Sequence, residues 1–163
     1  MNNSLNGNVG MIKVIVAGAA GRMGTQLVSL LKDSTALTLA AAVERKGHAA
    51  IGQDAGERAG CGRAQVRIVD DLSAVLSQGD VVIDFSSPSA TLQNVGAAAG
   101  QRRAMVIGTT GLSAQDLAEV QAFARQIPCV FSPNMSVGVN LLFKRVPVTI
   151  AAAGPGSASA APW

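Results

Sequence analysis

The stretch IKVIVAGAAGRMGTQLVSLLKD, residues 12–33, constrains the chain more than any other. It opens as a β-branched, apolar run closed by glycine, the pattern of a strand buried on both faces. It continues with Met23, Leu27, Leu30 and Leu31 at helical spacing. Between the two lie Gly18, Gly21 and Gly24, spaced as GxxGxxG. Gly18 lets the chain turn sharply off the strand. Gly21 lets backbone approach a pyrophosphate, and Gly24 lets the helix lie close on the sheet. The unpaired N–H groups of the first helical turn, aided by the helix dipole, attract an anion. Arg22 adds charge in the same turn. An acid, Glu44, ends the second apolar run, LTLAAAV, 20 residues after Gly24. A carboxylate there accepts hydrogen bonds from an adenosine ribose. Arg45 beside it pairs with a 2′-phosphate, because guanidinium and phosphate match bidentately. Glu44 favours NADH and Arg45 tolerates NADPH, so dual use is expected.

The rest of the chain repeats the alternation of strand and helix. Strands are expected in VRIV (66–69), DVVIDFSS (80–87), AMVIGTTG (104–111) and PCVFSPN (128–134). Helices are expected in DDLSAVLSQ (70–78, with an Asp cap), PSATLQNVGAAAG (88–100), LSAQDLAEVQAFARQ (112–126) and MSVGVNLLFK (135–144). Pro88 suits a first helical turn, and Ser113 with Asp116 suits a capped start. Residues 44–65 are polar and glycine-punctuated, a long surface loop. This alternation predicts an α/β fold: a doubly wound, Rossmann-like parallel sheet in the order 3-2-1-4-5-6. Residues 1–10 are expected to be disordered, 11–145 to form the dinucleotide-binding domain, and 146–163 to be an unstructured or non-native tail. That tail carries Pro147, Pro155 and Pro162 and no charge.

Ligands of such sheets bind at the carboxyl ends of the strands. Three later strand ends are small and hydrogen-bonding: DFSSPSAT, the Gly108, Thr109, Thr110, Gly111 run, and SPNMS from Ser132 to Ser136. All suit backbone contact with a nicotinamide ribose or carboxamide, and all also suit tight turns with helix caps. Other classes are disfavoured. The net charge of +3 is spread out and aromatics are 3%, unlike a nucleic-acid reader. Cys61 and Cys129 form no metal or disulfide pattern, and Cys129 reads as a small buried hydrophobe. The single histidine, His48, reads as a surface loop residue. Neither an export signal nor a membrane span is legible, so a reduced, cytoplasmic setting is expected. No metal ligand set is expected.

The motifs VAGAAGRMG, AAVERKG, IGQDAGE, DVVIDFSSPSAT, VIGTTGLS and FSPNMSVGVN stand in this order. Together they resemble the 4-hydroxy-tetrahydrodipicolinate reductase family, also called dihydrodipicolinate reductase, from about Met11 to Lys144. The family serves lysine and diaminopimelate synthesis by NAD(P)H-dependent reduction of a cyclic imine dicarboxylate. The resemblance implies that Gly18, Ala19, Ala20, Gly21, Arg22 and Met23 hold the pyrophosphate. Glu44 would bind the adenosine ribose, with Arg45 near a 2′-phosphate. Gly108, Thr109 and Thr110 would line the nicotinamide side. Ser132, Pro133, Asn134 and Met135 would meet the nicotinamide end and begin an interdomain hinge. The family's substrate domain, with its His-His…Lys and Pro-Ser-Gly-Thr motifs, has no counterpart after Lys144, where a shifted reading frame would produce such text. No catalytic residue is therefore assigned. The expectation is a chain that binds NADH or NADPH, turns over negligibly and is doubtful as the family's tetramer. Two other readings stay open: another NAD(P)-dependent oxidoreductase, and a non-catalytic dinucleotide-binding domain.

Overall fold

A computed structural model describes residues 10–132. The expected helix at 135–144, the tail at 146–163 and all but Gly10 of the N-terminal segment lie outside the described residues. Six strands form one parallel sheet: β1 Ile12–Ala17, β2 Leu37–Val43, β3 Ile68–Val69, β4 Val81–Asp84, β5 Ala104–Ile107 and β6 Cys129–Phe131. Their order is β3-β2-β1-β4-β5-β6, as the alternation predicts. The winding reverses between β1 and β4, which are neighbours although β2 and β3 intervene in sequence. In such sheets that reversal opens a crevice at the carboxyl ends of the strands.

Both faces of the sheet are covered, which is why β1 is apolar without alternation from Val14 to Ala17. Ile15 and Ala17 join one core with Val82, Val95, Met105, Ile107 and Val120. Val14 and Val16 join the other with Val28, Leu31, Ala42 and Ile68. Helix α1 (Arg22–Lys32) and the short α2 (Ala55–Arg58) serve the second core, α3 (Pro88–Gly100) and α4 (Ala114–Ala124) the first. The start signals of α3 and α4 act as expected. Ser87 caps α3 ahead of Pro88, and Ser113 with Asp116 forms a reciprocal capping box on α4. The Asp116 carboxyl is held below its usual range by the N–H and O–H of Ser113.

Four expectations change. In α1 the buried residues are Gly24, Val28 and Leu31, while Met23 and Leu30 are exposed. Gly24 decides this: a Cβ there would stand 2.1 Å from the Gly18 carbonyl oxygen, so the helix must face the loop with this residue. Val28 and Leu31, four and seven residues on, then share its face. Residues 70–78 form no α-helix, only a 3₁₀ turn at Leu76–Gln78. Asp71 Oδ1 accepts the Ser73 N–H at 2.8 Å, an Asx turn that competes with helical bonding. Gly79 then passes so close to Ile15 that a Cβ would meet its Cγ1 at 2.5 Å. Residues 44–65 are not wholly a surface loop, since they contain α2 and the buried Ala50, Ala55 and Gly56. Cys129 is half-buried, and that burial raises its thiol pKa.

Asp54 organises this 44–65 segment. Its Oδ1 accepts N–H bonds from Gly56, Glu57 and, ten residues on, Ala64 at 2.8 Å. The Ala64 bond is the main reason its carboxyl is held below the usual range, against the opposing effect of burial. The folded-state value lies below the unfolded one, so the stabilisation is complete above the unfolded value and is lost as pH falls through the folded one. Asp54→Asn is expected to lower stability at neutral pH and flatten its loss below about pH 4, read by urea unfolding across pH. Gly24→Ala is expected to cost at least about 2 kcal/mol in the same assay. Gly100→Ala, at a position with open space, is expected to change stability little.

Candidate functional site

The glycine loop is a strand end folded back on itself. At Gly18 φ is +77°, and a Cβ would meet the Phe85 carbonyl oxygen at 2.7 Å, so both conformation and space require glycine. The Gly18 and Ala19 N–H groups donate to Val43 O at 2.9 and 3.0 Å, which ties the loop to the end of β2. Gly21 N–H donates to Gly18 O at 3.1 Å and closes the turn. Helix α1 then starts with Gly21 as its N-cap and no capping side chain, so its first turn is open to an external acceptor. Ala19 is buried and Ala20 half-buried, and both serve through backbone. Arg22 and Met23 are exposed.

Glu44 directly follows β2. Its Oε2 accepts the Ala20 N–H at 3.1 Å and its Oε1 the Arg45 N–H at 3.0 Å. The acid thus stands against the glycine loop, and its own N–H donates to Val69 O at 2.9 Å. Gly18, Gly21, Glu44 and Arg45 line a single cleft of about 610 Å³ where the winding reverses. Lys46, Asp70–Ser73, Phe85–Ser87, Gln93 and Asn94 are among the other residues that line it. A larger depression of about 790 Å³ lies along residues 52–67 and contains none of the expected site residues. There Arg63 Nε stands 3.3 Å from Glu57 Oε1, and Asp54 accepts three backbone N–H groups. The first cleft is therefore the candidate site.

Gly108, Thr109 and Thr110 follow β5 and reach the cleft's border through Phe85. A Cβ on Gly108 would stand 2.2 Å from Phe85 Cε1, so the loop lies flat on that ring. The Gly108 N–H donates to Asp84 O at 2.9 Å. Thr109 is buried, its Oγ1 accepting from Thr91 Oγ1 at 2.8 Å, while Thr110 is exposed. Ser132 directly follows β6, and Pro133, Asn134 and Met135 lie outside the described residues. His48 lines no part of this cleft, and its Nδ1 accepts the Ala50 N–H at 3.1 Å.

Sequence reasoning stopped at the strand end DFSSPSAT without naming its working residues. Asp84 is fully buried; its Oδ1 accepts the Ser86 N–H at 2.8 Å and its Oδ2 the Asn94 amide at 3.0 Å. Phe85 forms the cleft wall between the glycine loop and Gly108. An aspartate ending the apolar run VVID was the available signal, since a buried carboxylate needs several donors.

A glycine turn, an uncapped helix start and an acid at the second strand, all on one crevice of a doubly wound sheet, define a nucleotide-binding α/β domain. Residues 12–135 match the family described as "Dihydrodipicolinate reductase, N-terminus". The chain belongs to the dihydrodipicolinate reductase family, and it matches that family's N-terminal part. The 4-hydroxy-tetrahydrodipicolinate reductase of an Anaeromyxobacter species is 53% identical over 136 residues, which are 83% of this chain and 50% of that protein. The protein of the same name from Geotalea daltonii is 46% identical over 134 residues, covering 82% and 50%. The chain thus spans about half the length of the curated relatives it matches. Among solved structures, the dipicolinate-bound dihydrodipicolinate reductase of Paenisporosarcina sp. TG-14 superposes with a TM-score of 0.68 at 22% identity, over 86% of this chain and 54% of that one. An Agrobacterium radiobacter oxidoreductase in complex with NAD+ gives 0.61 at 17%, over 84% and 40%. These structural likenesses show the shared fold.

Removing the Glu44 carboxylate should loosen the glycine loop. In Glu44→Ala, amide hydrogen exchange at Ala20 is expected to quicken several-fold, with Val14 to Val16 in the strand unchanged.

Proposed function

We propose that this chain binds NADH or NADPH in the cleft between the glycine loop and β4, as the cofactor-binding part of a 4-hydroxy-tetrahydrodipicolinate reductase. The observation that carries the reading is the convergence of Gly18, Gly21, Glu44 and Arg45 on one cleft at the winding reversal. The backbone from Gly18 to Met23 takes the pyrophosphate, at the first turn of α1 that no side chain caps. Arg22 adds positive charge there. Glu44 receives the adenosine ribose hydroxyls on the lone pairs that Ala20 and Arg45 leave open, since a carboxylate offers about four acceptor sites. Arg45, exposed at the cleft, pairs with the 2′-phosphate of NADPH.

Gly108, Thr109 and Thr110 lie toward the nicotinamide; a nicotinamide contact by Ser132, Pro133, Asn134 and Met135 is proposed on the family resemblance alone. Bound there, the nicotinamide would supply hydride to the substrate of the whole protein. Reduction of the cyclic imine is proposed for the whole protein, on the strength of the name its relatives carry.

Titration calorimetry of the 163-residue chain tests the binding. Saturable binding of both dinucleotides is expected. Arg45→Ala should weaken NADPH about tenfold and leave NADH within about twofold, because one charge-assisted contact is lost. Absence of binding to either dinucleotide at millimolar concentration would sink the reading.

A further inference from the structure

Thr91 occupies a position where an apolar side chain would serve the core. Helix α3 buries Thr91, Val95, Ala98 and Ala99, one stripe at spacings of four, seven and eight from Thr91. Thr91 is fully buried, and a buried hydroxyl is costly unless it is hydrogen-bonded. Its Oγ1 donates to Thr109 Oγ1 at 2.8 Å, across to the loop after β5. A hydroxyl has one hydrogen. With that hydrogen given to Thr109, the Ser86 hydroxyl at 3.5 Å is left as donor to Thr91. The order of donation is therefore Ser86 to Thr91 to Thr109. Among the described residues, nothing accepts the hydrogen of Thr109, which is the open end of this series.

The backbone of the same loop is fixed by other means. Gly108 lies flat on the Phe85 ring, and its N–H donates to Asp84 O. Asp84 in turn holds Ser86 N–H and the Asn94 amide through its carboxylate. What Thr91 adds is control of one side chain. By filling one lone pair of Thr109, it excludes that direction and leaves the Thr109 hydrogen for another acceptor.

We infer that Thr91 is a positioning residue for the nicotinamide end of the bound dinucleotide. It aims the Thr109 hydroxyl at an uncharged oxygen acceptor, of which the nicotinamide carboxamide is the member this cofactor offers. The inference rests on the dinucleotide reading above.

The test compares ligands with and without nicotinamide on the full chain: NADH against ADP-ribose, and NADPH against 2′-phospho-ADP-ribose, by calorimetry. Thr91→Val keeps the shape and removes the donor. It is expected to weaken NADH and NADPH about tenfold and to leave the two truncated ligands within about twofold, the cost of one buried hydrogen bond. Thr91→Ser, which keeps the hydroxyl, should restore binding, as a purely structural role for the methyl group would not. Thr109→Val should show the same selective loss, and the double variant no further loss. Equal loss for all four ligands in Thr91→Val, or no loss, would overturn the inference. So would a wild-type chain that binds the full and truncated ligands equally tightly. If Thr91→Val fails to fold, the Thr109→Val comparison decides in the same way. A wild-type chain that binds none of the four overturns the dinucleotide reading itself, a result distinct from these.

Discussion

The contact on which the structure depends is the approach of α1 to the end of β1 at Gly24. With the Gly18 carbonyl oxygen only 2.1 Å from where a Cβ would stand, the helix sits as low on the sheet as a backbone can. That closeness fixes the rotation of α1 about its axis. Val28 and Leu31 fall into the core, and Met23 and Leu30 are left in solvent. It also points the uncapped first turn of α1 at the crevice beside β4. The packing of α1 and the aim of its first turn are thus set by one absent methyl group, and the glycine pattern is first a packing device.

A second constraint links the two halves of the crevice. The turn after β4 touches the glycine loop on one side, where Gly18 meets the Phe85 carbonyl. On the other side it supports the loop after β5, where Gly108 meets the Phe85 ring. Asp84 beneath it is buried with its carboxylate bonded to Ser86 and Asn94. The glycine-loop side and the Gly108 side of the crevice are therefore referenced to one element. That arrangement suits a ligand that must be held at both ends, since misplacing either end costs alignment at the reacting atom.

Much of this was legible in the chain. Strands such as LTLAAAV and helices such as PSATLQNVGAAAG have sharp local signals, and both fall where those signals place them. The 70–78 segment misled because Leu72, Val75 and Leu76 have helical spacing and are buried, yet the Asx turn at Asp71 and the crowding of Gly79 against Ile15 leave room only for a 3₁₀ turn. The roles of Asp84, Phe85 and Thr91 escaped for a different reason. Their partners lie on other elements, 10 residues away for Asp84 and 18 for Thr91. No local pattern encodes such a pairing.

The sequence by itself determined the alternation, the strand order and the glycine–acid pair, because each follows from local propensity, from the handedness of parallel crossovers or from a short motif. Tertiary structure alone decided which face of α1 is buried and that Glu44 leans on the Ala20 N–H. It also decided that Ser86, Thr91 and Thr109 form one directed series. These depend on distances between segments remote in sequence, which exist only once both faces of the sheet are packed.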